Sequence, residues 1–130
     1  MTRLSQHDRD QLELAFYLPM VLTVLNRDRS ILEASSLKLP NPYLTLIEET
    51  MKAVQRDLKK VRDYMREHQM KVEKLKSDDT FTSYLFLFRG YEEEHNYFNP
   101  RIRNKVEQLL REFLLHRTLP TMTIKDETGS

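Results

Sequence analysis

From Leu44 to His68 the apolar residues Leu44, Ile47, Met51, Val54, Leu58, Val61 and Met65, followed by His68, recur at alternating steps of three and four, directly after Asn41-Pro42. A stripe of that period lies along one side of an α-helix and is stable in water only where another element covers it. Asn followed by Pro marks the start, since Asn is a good N-cap and Pro pre-sets the first helical φ. Asn99-Pro100 repeats the signal before Ile102, Val106, Leu109, Phe113 and His116. The long helix should run to about His68, roughly 40 Å at 1.5 Å per residue, and act as the spine.

The rest of the chain is expected to be helical too. With only 2 Gly and 32% charged residues, the composition suits helices better than a sandwich or barrel. Ser5 with Asp8 resembles a capping box opening a first helix with Leu14, Leu18, Val21 and Leu25 on one face. Pro19 inside it predicts a kink or break near Leu18, and Ser30 with Glu33 offers a short second start. Residues 69–79 read as a polar connection. Phe81, Tyr84, Phe88, Tyr91, His95 and Phe98 continue the three-four spacing. Residues 80–88 also alternate as a strand would, but the longer periodicity favours a helix capped by Asp78 or Asp79. Gly90 then sits at a close helix contact or bend. The expected fold is an all-α, up-down bundle of about four helices in one domain over residues 1–117, with residues 118–130 as a disordered tail.

Several function classes recede on composition. There is no cysteine, so neither disulfides nor thiol chemistry, and a cytoplasmic location is expected. Residues 1–10 lack the apolar core of a signal peptide, and no apolar run approaches the roughly 20 residues that span a bilayer. A net charge of +1 provides no global field to attract nucleic acid. No nucleotide loop, zinc spacing or catalytic triad can be read, and no cofactor is implied.

The candidate sites are local. His68, His95 and His116 lie on three apolar stripes, but an up-down bundle separates them, so each should satisfy its own hydrogen bond. Glu92-x-x-His95 is half of the metal-ligand pattern of di-iron carboxylate bundles, without a second half. Glu112 and His116 read as an intrahelical pair. Arg62 with His68, Arg89 with His95, and Arg111 with His116 have the spacing of some toxin ribonucleases, at a frequency chance supplies. Lys52, Arg56, Lys59, Lys60 and Arg66, with Lys71, Lys74 and Lys76 beyond them, read as a solvated surface diluted by acids.

Folding explains Arg101, Arg103 and Lys105 least well. Three cations in the first turns oppose the helix dipole, at about 0.3 to 1 kcal/mol each. Either Glu92, Glu93 and Glu94 pair with them across the turn, or they form an anion site for phosphate or a partner's carboxylate, with Tyr91 and Tyr97 at hand. Seven of the twelve aromatics fall within residues 81–98. On a helix, Phe86 and Leu87 would point away from the Phe81, Tyr84 and Phe88 stripe. Phe86, Leu87, Tyr91 and Tyr97 therefore mark a surface for a protein partner or a second copy.

Residues 16–22 (FYLPMVL), 41–51 and above all 89–105 (RGYEEEHNYFNPRIRNK) resemble the YhjD family of small proteins from Bacillus-type bacteria. The resemblance covers most of the chain before the tail. It implies a bacterial, intracellular protein and brings no residue roles, because the family carries no assigned activity. The expected function is a non-enzymatic protein-interaction module. An anion or nucleic-acid binder using Arg101, Arg103 and Lys105 comes second, and a metal-dependent or ribonuclease-like enzyme third.

Overall fold

A computed structural model describes residues 4–117; the expected tail over residues 118–130 lies outside the described residues. Three helices and three strands follow in the order α1 (Gln6–Glu33), α2 (Asn41–Glu67), β1 (Met70–Ser77), β2 (Phe81–Phe88), β3 (Tyr91–Phe98) and α3 (Asn99–His116). The strands form one antiparallel sheet in the order β1-β2-β3. The fold is therefore α+β, which corrects the all-α helical bundle expected above.

The helical parts follow their stripes. Ser5 Oγ accepts the Asp8 N–H at 3.0 Å and caps α1. The helix runs unbroken through Pro19 to Glu33, so Ser30 opens no separate element. Ile47, Val54, Leu58, Val61 and Met65 of α2 are buried, as are Ile102, Val106, Leu109 and Phe113 of α3. They close on Leu12, Phe16, Leu18, Val21 and Leu25 of α1. α2 and α3 start at their Asn-Pro pairs, but neither Asn is the cap: Pro40 and Phe98 hold those positions without side-chain capping bonds. Asn99 instead accepts from Thr82 Oγ1 at 2.7 Å and donates to the Asp78 carbonyl at 2.8 Å, tying the helix start to the sheet.

Residues 81–98 depart from the expected helix because a period of two holds there as well as three-four steps, and residues 70–77, expected as part of a polar connection, form β1. In β2, Tyr84, Phe86 and Phe88 are buried on one face, whereas Leu85 and Leu87 are half-buried on the other. Phe86 thus belongs with Tyr84 and Phe88 and not with Leu87, contrary to the helical expectation. Two short turns favour the strands. Asp78 Oδ1 accepts the N–H groups of Thr80 and Phe81, each at 2.8 Å, bending the chain between β1 and β2. Arg89 and Gly90, with φ of 50° and 86°, make a two-residue turn between Phe88 and Tyr91. Both central residues in the left-handed region are what a tight hairpin of this hand requires.

Gly90 is thus a turn residue and not a helix contact. A Cβ there would meet nothing within 4 Å, so Gly90→Ala tests backbone strain alone. It is expected to cost about 1 kcal/mol in chemical unfolding.

The inner face of the sheet packs on α1, where the Phe16 ring stacks on Tyr84 with centroids 3.9 Å apart and meets Tyr97 edge-on at 5.2 Å. The outer face carries Phe81 and Phe98, 47% and 49% exposed. Among the described residues, no helix is long and apolar enough to cross a membrane.

Candidate functional site: a cationic groove beside an open strand

α1 and α3 each bring a line of polar side chains to one groove. Arg9, Glu13 and Tyr17 follow one another at four-residue steps on α1, and Arg101, Lys105 and Gln108 do so at steps of four and three on α3. His95, Asn96, Tyr97 and Phe98 of β3 form the third wall of this space of about 650 Å³. Both strand faces contribute, so the groove follows the edge of β3.

The hydrogen bonds fix much of the lining. Tyr97 donates its hydroxyl to Glu13 Oε2 at 2.7 Å. Arg9 Nη1 lies 3.3 Å from His95 Nδ1, and His95 Nε2 lies 3.0 Å from Glu93 Oε1. The His95 ring also stacks on Phe86, centroids 4.3 Å apart. Burial and the Glu13 carboxylate push the Tyr17 phenol up to about 12, despite the opposing effect of Arg101. Burial raises Tyr97 as well, and its bond to Glu13 adds to the shift. Both phenols stay protonated at neutral pH and act as hydrogen-bond donors rather than bases.

Arg101 and Lys105 are different. Among the described residues, neither they nor Arg103 has a carboxylate within 4.0 Å. The expected pairing with Glu92, Glu93 and Glu94 is absent because residues 91–98 are extended. Glu94 precedes the end of β3 by four residues, about 13 Å along the strand. Glu93 turns to His95, and Glu92 and Glu94 are exposed on the outer face. Arg103 is exposed and outside the groove lining.

The other candidates scatter. Glu92 and His95, three apart on a strand, lie on opposite faces, so the Glu-x-x-His reading loses its helical basis. Among the described residues no three His, Cys, Asp or Glu side chains are grouped to hold a metal. His68 ends α2 with Nδ1 2.8 Å from the Tyr64 carbonyl oxygen, and His116 lies 3.9 Å from Glu112. Arg89 reaches Asp8 at 3.4 Å and not His95. Of the expected interaction residues, Phe86 is 0% exposed, Leu87 is half-buried, Tyr91 is open to solvent and Tyr97 lines the groove.

Backbone geometry adds what residue types could not announce. The Asn99 N–H donates to the Thr80 carbonyl at 2.8 Å, one step beyond the Phe81–Phe98 pair. Ladder bonds alternate along an antiparallel strand. Odd-numbered residues of β3 therefore bond to β2, and the N–H and C=O of Glu92, Glu94 and Asn96 face outward. Among the described residues no backbone group pairs with them.

The residues carrying this arrangement fall within a segment that a known family shares. The family model described as "YhjD protein" matches residues 3–118. The chain belongs to the YhjD family. It is similar to the Bacillus subtilis (strain 168) protein called "Uncharacterized protein YhjD", 44% identical over 114 residues, covering 88% of this chain and 95% of that protein. No solved structure matches. For this YhjD-family chain the groove therefore has to be interpreted from its own chemistry. Sequence reasoning found its α3 wall but missed Arg9, Glu13 and Tyr17. Their four-residue spacing on the first helix was the available signal.

Proposed function

We propose that this protein is a non-enzymatic interaction module that receives an extended, acidic protein segment along the open edge of β3. The observation that carries this reading is a strand edge that, among the described residues, has no backbone partner and runs into a groove where Arg101 and Lys105 have no carboxylate partner among those residues. An added strand gains main-chain hydrogen bonds from the edge, and its acidic side chains gain charge-assisted bonds from the groove. Tyr17 offers a further protonated donor.

The test uses a labelled, end-capped peptide with alternating Val and Glu in one half and alternating Val and Lys in the other. Wild-type protein is expected to bind it, with at least about tenfold weaker binding, about 1.4 kcal/mol, in the Arg101→Ala, Lys105→Ala variant. Methylating alternate peptide nitrogens should weaken it comparably by removing the strand's donors. Equal affinity of wild type and variant would end this reading.

A second reading rests on the cations alone: Arg101, Arg103 and Lys105 as a site for a free anion or nucleic acid. It requires wild-type protein to bind inorganic phosphate or single-stranded RNA, and Arg101→Ala, Arg103→Ala to lose that binding. Unchanged affinity in that double variant would remove it.

A further inference from the structure

The occupant of the β3 edge must match a divided pattern of charge. The first half of the strand is acidic, with Glu92, Glu93 and Glu94 in succession. The second half ends beside Arg9, Arg101 and Lys105. A complementary segment is therefore basic at one end and acidic at the other. β3 with its adjoining groove is itself such a segment, and reversed it complements itself.

We infer that the partner is a second copy of this chain, joined edge to edge through β3 in a symmetric antiparallel pair. This inference rests on the interaction reading above and names its partner. A two-fold axis beside His95 places Glu94 opposite Asn96 of the second copy, and Glu93 opposite Tyr97. The outward N–H and C=O groups of Glu94 and Asn96 then bond to each other across the axis. Each copy's acidic half approaches the other copy's Arg101 and Lys105. Two three-stranded sheets become one of six strands, and both contacts use the same surface, as a closed two-fold interface requires.

The contrast between the two edges of the sheet supports the choice of strand. β1 carries Lys71, Lys74 and Lys76, and its register shifts between Lys74 and Lys76. Lysines and bulges are common means of keeping an edge from pairing. β3 has neither: its register with β2 is regular from Tyr91 to Phe98, and it contains no lysine or proline. Self-pairing also supplies carboxylates for the cations at the start of α3 that the monomer's extended β3 keeps apart from them.

Sedimentation equilibrium on the full chain tests this. Wild type is expected at twice the 15.7 kDa chain mass. Three variants should be monomeric: Glu94→Pro, which removes an outward N–H; Glu92→Lys with Glu94→Lys; and Arg101→Glu with Lys105→Glu. Mixing the two charge-reversed variants should restore a dimer with at least about tenfold tighter association than either alone, because each then meets its opposite charge. Hydrogen exchange should show the Glu92, Glu94 and Asn96 amides slowed in wild type and fast in the monomeric variants. Circular dichroism checks folding, and the mixing result does not depend on the proline variant. A monomeric wild type, or a dimer indifferent to both charge reversals, overturns the inference. A monomer that still takes the half-acidic, half-basic peptide overturns this inference while leaving the interaction reading standing. A charge-sensitive β3 dimer that ignores the peptide supports self-association and removes the peptide.

Discussion

Phe86→Asp should leave a chain that does not fold, whereas Leu87→Asp should fold with a modest loss. Phe86 is 0% exposed and lies between Val72 and Glu93 in the sheet register, with its ring stacked on His95. Removing such a ring costs about 3 to 5 kcal/mol in Phe→Ala substitutions. An aspartate adds an unpaired charge in an apolar site, and the sum approaches the total stability of a typical domain. Leu87 is half-buried on the opposite face, beside Lys71 and Glu92, where a carboxylate stays hydrated. Phe86→Ala, expected to remain foldable, gives the magnitude in urea unfolding, and circular dichroism reports the two Asp variants. The comparison also tests the architecture. On the helix expected from the sequence, both side chains would leave the apolar stripe, and the two substitutions would have similar effects. Equal mild losses would contradict the strand.

The ease of reading the helices and the failure over residues 70–98 share a cause. In α2 and α3 only one period fits the apolar residues, and Asn-Pro fixes where each begins. In residues 81–98 the aromatics satisfy two periods at once: Phe81, Tyr84, Phe88 and Tyr91 step as a helix, while Tyr84, Phe86 and Phe88 step as a strand. The deciding information lay in the turns. Asp78-Asp79 and Arg89-Gly90 divide the segment into strands of eight residues each and would interrupt a helix twice. Once Gly90 is read as a turn, the polar stretch from Met70 becomes the third strand, with Met70 and Val72 facing inward. The error propagated to the site. As a helix turn, residues 92–94 lie across from Arg101; as a strand, they run away from it. The basic start of α3 was legible as unexplained charge. Its α1 wall was signalled by spacing alone: Arg9, Glu13 and Tyr17 share one face of α1, but which face meets β3 depends on the sheet's position. The outward-facing backbone groups have no side-chain signature at all.

The junction of α1, α2 and the β2–β3 turn should control acid stability through Asp8. Asp8 is 8% exposed and accepts from the Tyr64 hydroxyl at 2.7 Å through one oxygen, while Arg89 Nη2 approaches the other at 3.4 Å. Arg89 also donates to the His68 carbonyl at 3.2 Å, and the Tyr64 ring stacks on His68 with centroids 3.9 Å apart. One carboxylate thus ties the start of α1 to the end of α2 and to the hairpin. Burial alone would raise its pKa, but the hydrogen bonds from Tyr64 and Arg89 and the nearby guanidinium outweigh it, holding it below the ordinary 3.8. The folded state therefore favours the ionised form. The resulting stability is present above the unfolded value near 3.8 and disappears as pH falls through the lower folded value. Asp8→Ala strands a phenol and a guanidinium together and should cost about 2 kcal/mol at neutral pH. Asp8→Asn keeps an acceptor and a donor but no charge, so it should cost less at neutral pH and lose less than wild type on acidification. Asp63 and Asp78 are also held low, Asp63 by hydrogen bonds from Lys59 and Arg66 and Asp78 by the N–H groups of Phe81 and Thr80, so both variants keep some acid sensitivity. The diagnostic quantity is the difference in urea midpoint between wild type and Asp8→Asn, measured at neutral pH and again below the carboxylate range. That gap should narrow in acid. A constant gap would mean that Asp8 holds the junction by shape and neutral hydrogen bonding, with its charge contributing nothing.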